Sequence, residues 1–129
     1  MRRVLLVFAL LVFGGLLAPS ATAHGSCSSL AFTPTKGGGA VQFRSQYDCH
    51  GTVHSTITTA VGGWRRTPGQ AWTQVFGKGA SASNKALLGV SGTVTFDCHK
   101  DYTTTASGSA SPGGHSGQDP SSGVLTHSC

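Results

Sequence analysis

Four cysteines, Cys27, Cys49, Cys98 and Cys129, constrain this chain more than any other feature, because little else in it can hold a core. Beyond residue 23 only 18 residues are Val, Ile, Leu, Met, Phe or Trp, whereas 17 Gly, 15 Ser and 14 Thr make up more than two in five. A core this thin stabilises a small domain weakly, and covalent staples supply what burial does not. The opening residues point to a compartment where such staples form. Arg2 and Arg3 precede an apolar run over 4–17, and Ala21-Thr22-Ala23 has the small-residue form of a cleavage site, so 1–23 reads as a secretory signal peptide. Removing those 23 of 129 residues leaves 106, one small secreted, extracellular domain over 24–129 with no membrane span in the mature chain.

Four cysteines permit three pairings. Cys27–Cys49 with Cys98–Cys129 is preferred, because each bridge encloses a short segment able to fold locally. The rival, Cys49–Cys98 with Cys27–Cys129, would pin two strands across a sandwich and tie the ends together. Either set contributes roughly 2–4 kcal/mol per bridge. No pair has Cys-x-x-Cys spacing, which argues against a zinc site.

Period-two alternation identifies the elements. Over 41–49, Val41, Phe43, Tyr47 and Cys49 share one face, with Gln42, Arg44, Gln46 and Asp48 on the other. Residues 52–61 place Val53, Ile57 and Val61 on one face, and Gly62-Gly63 is expected to end that strand. Residues 71–76, including Trp72, form a short aromatic strand. In 88–98, Leu88, Val90, Val94, Phe96 and Cys98 oppose Ser91, Thr93, Thr95 and Asp97. The polar run 102–110 is expected to be a peripheral strand, 111–123 a Gly/Ser/Pro-rich loop, and 124–129 a short edge strand. Helical spacing is weak everywhere, with 80–88 the nearest approach. The fold expected is all-β: a small antiparallel β-sandwich, immunoglobulin-like or bacteriocin-like, stapled by two disulfides.

Two stretches echo one another. Tyr47-Asp48-Cys49-His50 and Phe96-Asp97-Cys98-His99 share an aromatic-Asp-Cys-His pattern, as two strand ends in equivalent disulfide environments would. Cleavage after Ala23 also makes His24 the mature N-terminus, where an amino group and an imidazole can chelate Cu(II) with a second histidine, His50 or His99. This arrangement resembles copper-carrier sandwiches with an N-terminal His and an Asp-x-His pair, and the opening His-Gly of lytic polysaccharide monooxygenases. A secreted copper-binding domain is therefore one alternative, and a generic adhesion or inhibitor module is another.

Charge and composition narrow the remaining classes. The mature chain carries seven Lys/Arg against four Asp and no Glu, too sparse a charge for nucleic acid. The lack of Glu and of a Gly-x-Ser-x-Gly elbow gives an enzyme little support. Arg65-Arg66 beside Trp64, with Trp72 close in sequence, suggests a basic aromatic surface suited to anionic envelope components.

Across 37–90 the pieces follow an order. Gly37-Gly38-Gly39 precedes Ser45-Gln46-Tyr47 and His50-Gly51. His54-Ser55-Thr56-Ile57-Thr58 comes next, then Gly69-Gln70-Ala71-Trp72 and Asn84-Lys85-Ala86-Leu87. This stretch resembles the lactococcin 972-type bacteriocins, small secreted β-sandwich proteins. The family usually lacks cysteines and ends in aromatic residues where this chain has Leu87-Leu88, and residues 94–129 are additional. The resemblance implies a non-enzymatic, cofactor-free antibacterial protein that binds a bacterial cell-envelope component, with the cell-wall precursor as its target. Tyr47, His50, His54, Trp64, Arg65, Arg66 and Trp72 are the candidate contact residues.

Overall fold

The computed structural model describes residues 27–115, 120–127 and 129. The segment read as a signal peptide, and His24 with it, lies outside the described residues. The described chain forms eight strands: β1 (Ser28–Gly37), β2 (Ala40–Asp48), β3 (Thr56–Arg66), β4 (Thr73–Ala82), β5 (Leu87–Thr95), β6 (Asp101–Ser111), β7 (Gly114–His115) and β8 (Ser121–Leu125). One sheet has the order β1-β2-β5; the other runs β4-β3-β6-β7, with β8 also paired to β6. Every pairing is antiparallel. The two sheets face one another as a sandwich, as the alternating pattern requires.

β2 follows its sequence pattern closely. Val41, Phe43 and Tyr47 are fully buried, and Ser45 joins them on the inner face, where its hydroxyl donates to the Ala60 carbonyl of the other sheet (3.2 Å). Gly38 and Gly39 both have left-handed φ (60° and 78°), which makes the two-residue β1–β2 hairpin. Both disulfides have the preferred pairing. Cys27–Cys49 joins the start of β1 to the end of β2, and Cys98–Cys129 joins the β5–β6 connection to the chain segment beyond β8.

Several expectations are corrected. Gly62-Gly63 does not end a strand; both residues lie buried inside β3, which continues to Arg66. The strand starts later than expected, at Thr56, and leaves Val53 62% exposed. The reason is packing. A Cβ on Gly63 would fall 2.6 Å from the Phe43 ring, and Gly92 and Gly108 are covered still more closely by Phe76 and Tyr47. Each large ring thus rests on a glycine of the opposing sheet. This is how a chain with few aliphatic side chains brings its two sheets into contact.

The second correction concerns β6. Its polar sequence suggested the periphery, but it lies in the interior of its sheet, flanked by β3 on one side and β7 and β8 on the other, with Asp101, Tyr102, Thr103, Thr104 and Ala106 all buried. Thr103 Oγ1 is answered by its neighbours, donating to the carbonyls of Ser122 (3.2 Å) and Gly123 (3.3 Å), whereas Thr104 Oγ1 is buried without a hydrogen-bond partner among the described residues. Thirdly, the 111–123 stretch is not wholly loop, since it contains β7 and the start of β8. Residues 80–88 are the end of β4, the connection that carries the chain from one sheet to the other, and the start of β5, with Asn84 in left-handed conformation, and not helix.

Candidate binding cleft

β3 separates the expected contact residues by face and by end. Ile57, Thr59, Val61 and Gly63 point into the sandwich, so Thr58, Ala60, Gly62 and Trp64 alternate to the outer face. Trp64 lies across this face, and its indole N–H donates to Thr105 Oγ1 at 2.8 Å. Trp72, from the β3–β4 connection, stands beside it. Together with Thr103, Thr105, Ser121, Ser122 and Val124 they line a cleft of about 350 Å³.

Arg66 forms the support of that cleft. Its guanidinium stacks 4.3 Å from the centre of the Trp72 ring, while its Nε donates to Asp101 Oδ2 at 3.3 Å. Asp101 is buried and binds a second partner: its Oδ1 accepts from His127 Nδ1 (2.8 Å) and from the His127 backbone N–H (3.0 Å). The His127 ring hydrogen bond, aided by the His127 amide and Arg66 and opposed by burial, holds the Asp101 carboxyl below the usual carboxylate range. The charge of Arg66 is therefore already answered by an ionised carboxylate. Arg65 alternates to the opposite face of β3, so the adjacent arginines do not make one basic patch.

The other expected contacts lie elsewhere. Tyr47 is 0% exposed; burial raises its phenol pKa, and its hydroxyl has no hydrogen-bond partner among the described residues. His54 is 3% exposed, with Nδ1–H donating to the Pro112 carbonyl (3.0 Å) and Nε2 3.6 Å from Cys27 Sγ. Neither side chain can reach a partner, and both serve packing around the Cys27–Cys49 bridge. His50 is exposed beside that bridge, its Nε2 3.2 Å from Ser28 Oγ, at the end of the sandwich away from the tryptophans.

The two Asp-Cys-His units do share a geometry. In each, the histidine N–H donates to the aspartate two residues earlier at 2.8 Å, His50 to Asp48 and His99 to Asp97. They occupy opposite ends of the β2–β5 pair, since Asp48 is opposite Leu87 and Ala40 opposite Thr95. A nine-residue strand separates them by roughly 25 Å at 3.3 Å per residue, so His50 and His99 cannot ligate one ion. Among the described residues the Cys/His groups close enough to share an ion, Cys27-Cys49-His54 and Cys98-His99-Cys129, each contain a closed disulfide.

A second depression of about 450 Å³ lies where β4 passes β5 and β2, lined in part by Phe32, Arg44, Ser45, Lys78 and Val90. Arg44 stacks 4.4 Å from the Phe32 ring centre, and Lys78 Nζ donates to the Ser91 carbonyl. Sequence reading missed both this cationic depression and the hydroxyl wall of the Trp cleft. The alternation of Thr103, Thr105, Ser107 and Ser109 against Tyr102, Thr104, Ala106 and Gly108 was the available signal for the wall. Comparison with protein-family models, curated proteins and solved structures finds no match for the chain.

Proposed function

We propose that this is a secreted, bacteriocin-like antibacterial protein that binds a component of the bacterial cell envelope without catalysis, through the Trp64–Trp72 cleft. The observation that carries the reading is the meeting of Trp64 and Trp72 in one surface cleft, the first indole held by its hydrogen bond to Thr105 and the second by the Arg66 guanidinium stacked on it. Rigid, half-exposed aromatic side chains lose little conformational entropy on binding, which is why such residues dominate recognition surfaces. The order of short motifs over 37–90 and the apolar leader over 1–23 support the same reading.

The test uses the mature, oxidised protein with a fluorescent label and a panel of Gram-positive cells and isolated envelope fractions. The protein is expected to bind cells and to slow growth with division defects visible at the septum. Trp72→Ala is expected to lose most of the bound fraction while retaining a cooperative unfolding transition. Failure to associate with any cell or envelope fraction overturns the proposal.

A further inference from the structure

The outer face of the β4-β3-β6 sheet is unusual in what it lacks. Strand register sets its residues in four cross-strand rows: Gln74-Trp64-Thr103, Gly77-Gly62-Thr105, Gly79-Ala60-Ser107 and Ser81-Thr58-Ser109. Within these three strands no row contains an ionisable side chain, and the last row continues into β7 at His115. The floor is low because Gly77 and Gly79 raise nothing above the backbone and Ala60 only a methyl, while the Trp64 indole, Thr105 and Gln74 close over Gly62 and hydroxyls border the band along β6. Three adjoining depressions follow these rows, beginning at the Trp64–Trp72 cleft and ending at Thr58 and Ser109. From Trp64 to Thr58 the band runs about 20 Å at 3.3 Å per residue.

Building on the proposed envelope-binding role, we infer that this band binds an uncharged pyranose glycan chain lying along β3 and β6, with its leading ring in the tryptophan cleft. A pyranose presents an apolar C–H face and a rim of hydroxyls. The indoles of Trp64 and Trp72 suit the first, and a row of hydroxyl groups suits the second. Thr105 Oγ1 accepts from the Trp64 indole and so keeps its own proton to donate to a ligand oxygen. An anionic ligand fits this band poorly, because Arg66 is paired with Asp101 and the cations Arg44 and Lys78 line a different depression. The length of the band favours a chain of several sugars over a single one.

The experiment titrates the mature, oxidised protein with the tetrasaccharides of glucose and of N-acetylglucosamine, with the matching monosaccharides, and with inorganic phosphate and anionic phospholipid vesicles. Both tryptophans of the chain line the cleft, so their emission reports occupancy directly, and amide chemical shifts locate the ligand. A neutral tetrasaccharide is expected to shift the emission, to perturb amides over 58–64 and 103–109, and to bind at least roughly tenfold tighter than its monosaccharide. That binding should survive about 0.5 M salt, where charge interactions are screened within a few ångströms. It should also survive the double change Arg44→Ala/Lys78→Ala. Thr105→Val should weaken it, and Ala60→Glu, which puts a charged side chain on the floor without touching the core, should abolish it. No response to any neutral oligosaccharide overturns the inference, as does binding of phosphate or vesicles that collapses in salt. If cells are still bound and Trp72→Ala still releases them, the glycan assignment alone fails. If neither cells nor sugars bind, the envelope-binding reading fails with it.

Discussion

Gly63→Ala probes whether aromatic rings seated on opposing glycines set the spacing of this sandwich. An added Cβ would stand 2.6 Å from two carbons of the Phe43 ring and 2.8 Å from a third, against an ordinary carbon contact of roughly 3.5–4.0 Å. The ring must therefore retreat by about 1 Å. It has nowhere to go, being fully buried between Phe76 (centroids 5.9 Å apart) and Tyr102 (6.3 Å). Overpacking of this kind costs about 1–3 kcal/mol, which for a domain this small lowers Tm by roughly 5–20 °C. Gly79→Ala is the control, since its nearest neighbour across the new methyl is the Thr59 carbonyl at 3.7 Å, an ordinary contact. It should be neutral or stabilising by a few tenths of a kcal/mol, through the unfolded chain. Thermal and urea unfolding of the two variants give the comparison. Adding Phe43→Leu to Gly63→Ala should cost less than the sum of the two single changes, because the smaller side chain makes room for the methyl. If Gly63→Ala is no more destabilising than Gly79→Ala, ring-on-glycine packing does not set the sheet spacing.

Other perturbations test the staples and the polar support of the cleft. Replacing Cys27 and Cys49 together by Ser should cost about 3 kcal/mol by the entropy of a 22-residue loop, read from the urea midpoint; non-reducing tryptic mapping should recover the two cysteines in linked peptides after cleavage at Lys36 and Arg44. Asp101 has a folded pKa below its unfolded value near 4, so its contribution is present above that value and lost as pH falls through the folded one; wild-type stability should drop between about pH 5 and pH 2 more steeply than that of Asp101→Asn. The same Asp101→Asn change should loosen Arg66 from its place behind Trp72, seen as altered tryptophan emission at neutral pH with the fold retained. His54→Ala should destabilise by about 1–3 kcal/mol, because it empties the space of a buried imidazole and removes its bond to the Pro112 carbonyl, and differential scanning calorimetry would show a smaller loss if that packing is dispensable.

What local periodicity can express, the sequence determined alone. The two-faced pattern of 41–49 and the short-range cysteine pairing each depend on residues near in sequence or on an alternation of period two, and both appear in the structure. The all-β sandwich follows from them. The tertiary structure decided the rest. A Gly-Gly pair is a strand breaker by local propensity, yet Gly62-Gly63 is a strand interior here because the Phe43 ring of the other sheet needs the space at Gly63, and Thr105 and the Trp64 indole need it at Gly62. A threonine-rich strand looks peripheral until Ser122 and Gly123 answer Thr103, after which it lies within its sheet, paired on both sides. Arg65 and Arg66 read as one patch but face opposite sides of β3, whereas Trp64 and Trp72 meet across a turn with hydroxyls from β6 and β8. Burial, face and proximity between distant segments arise only when two sheets are laid on one another, so one strand's pattern cannot state which of its polar residues will be covered and which will line a cleft.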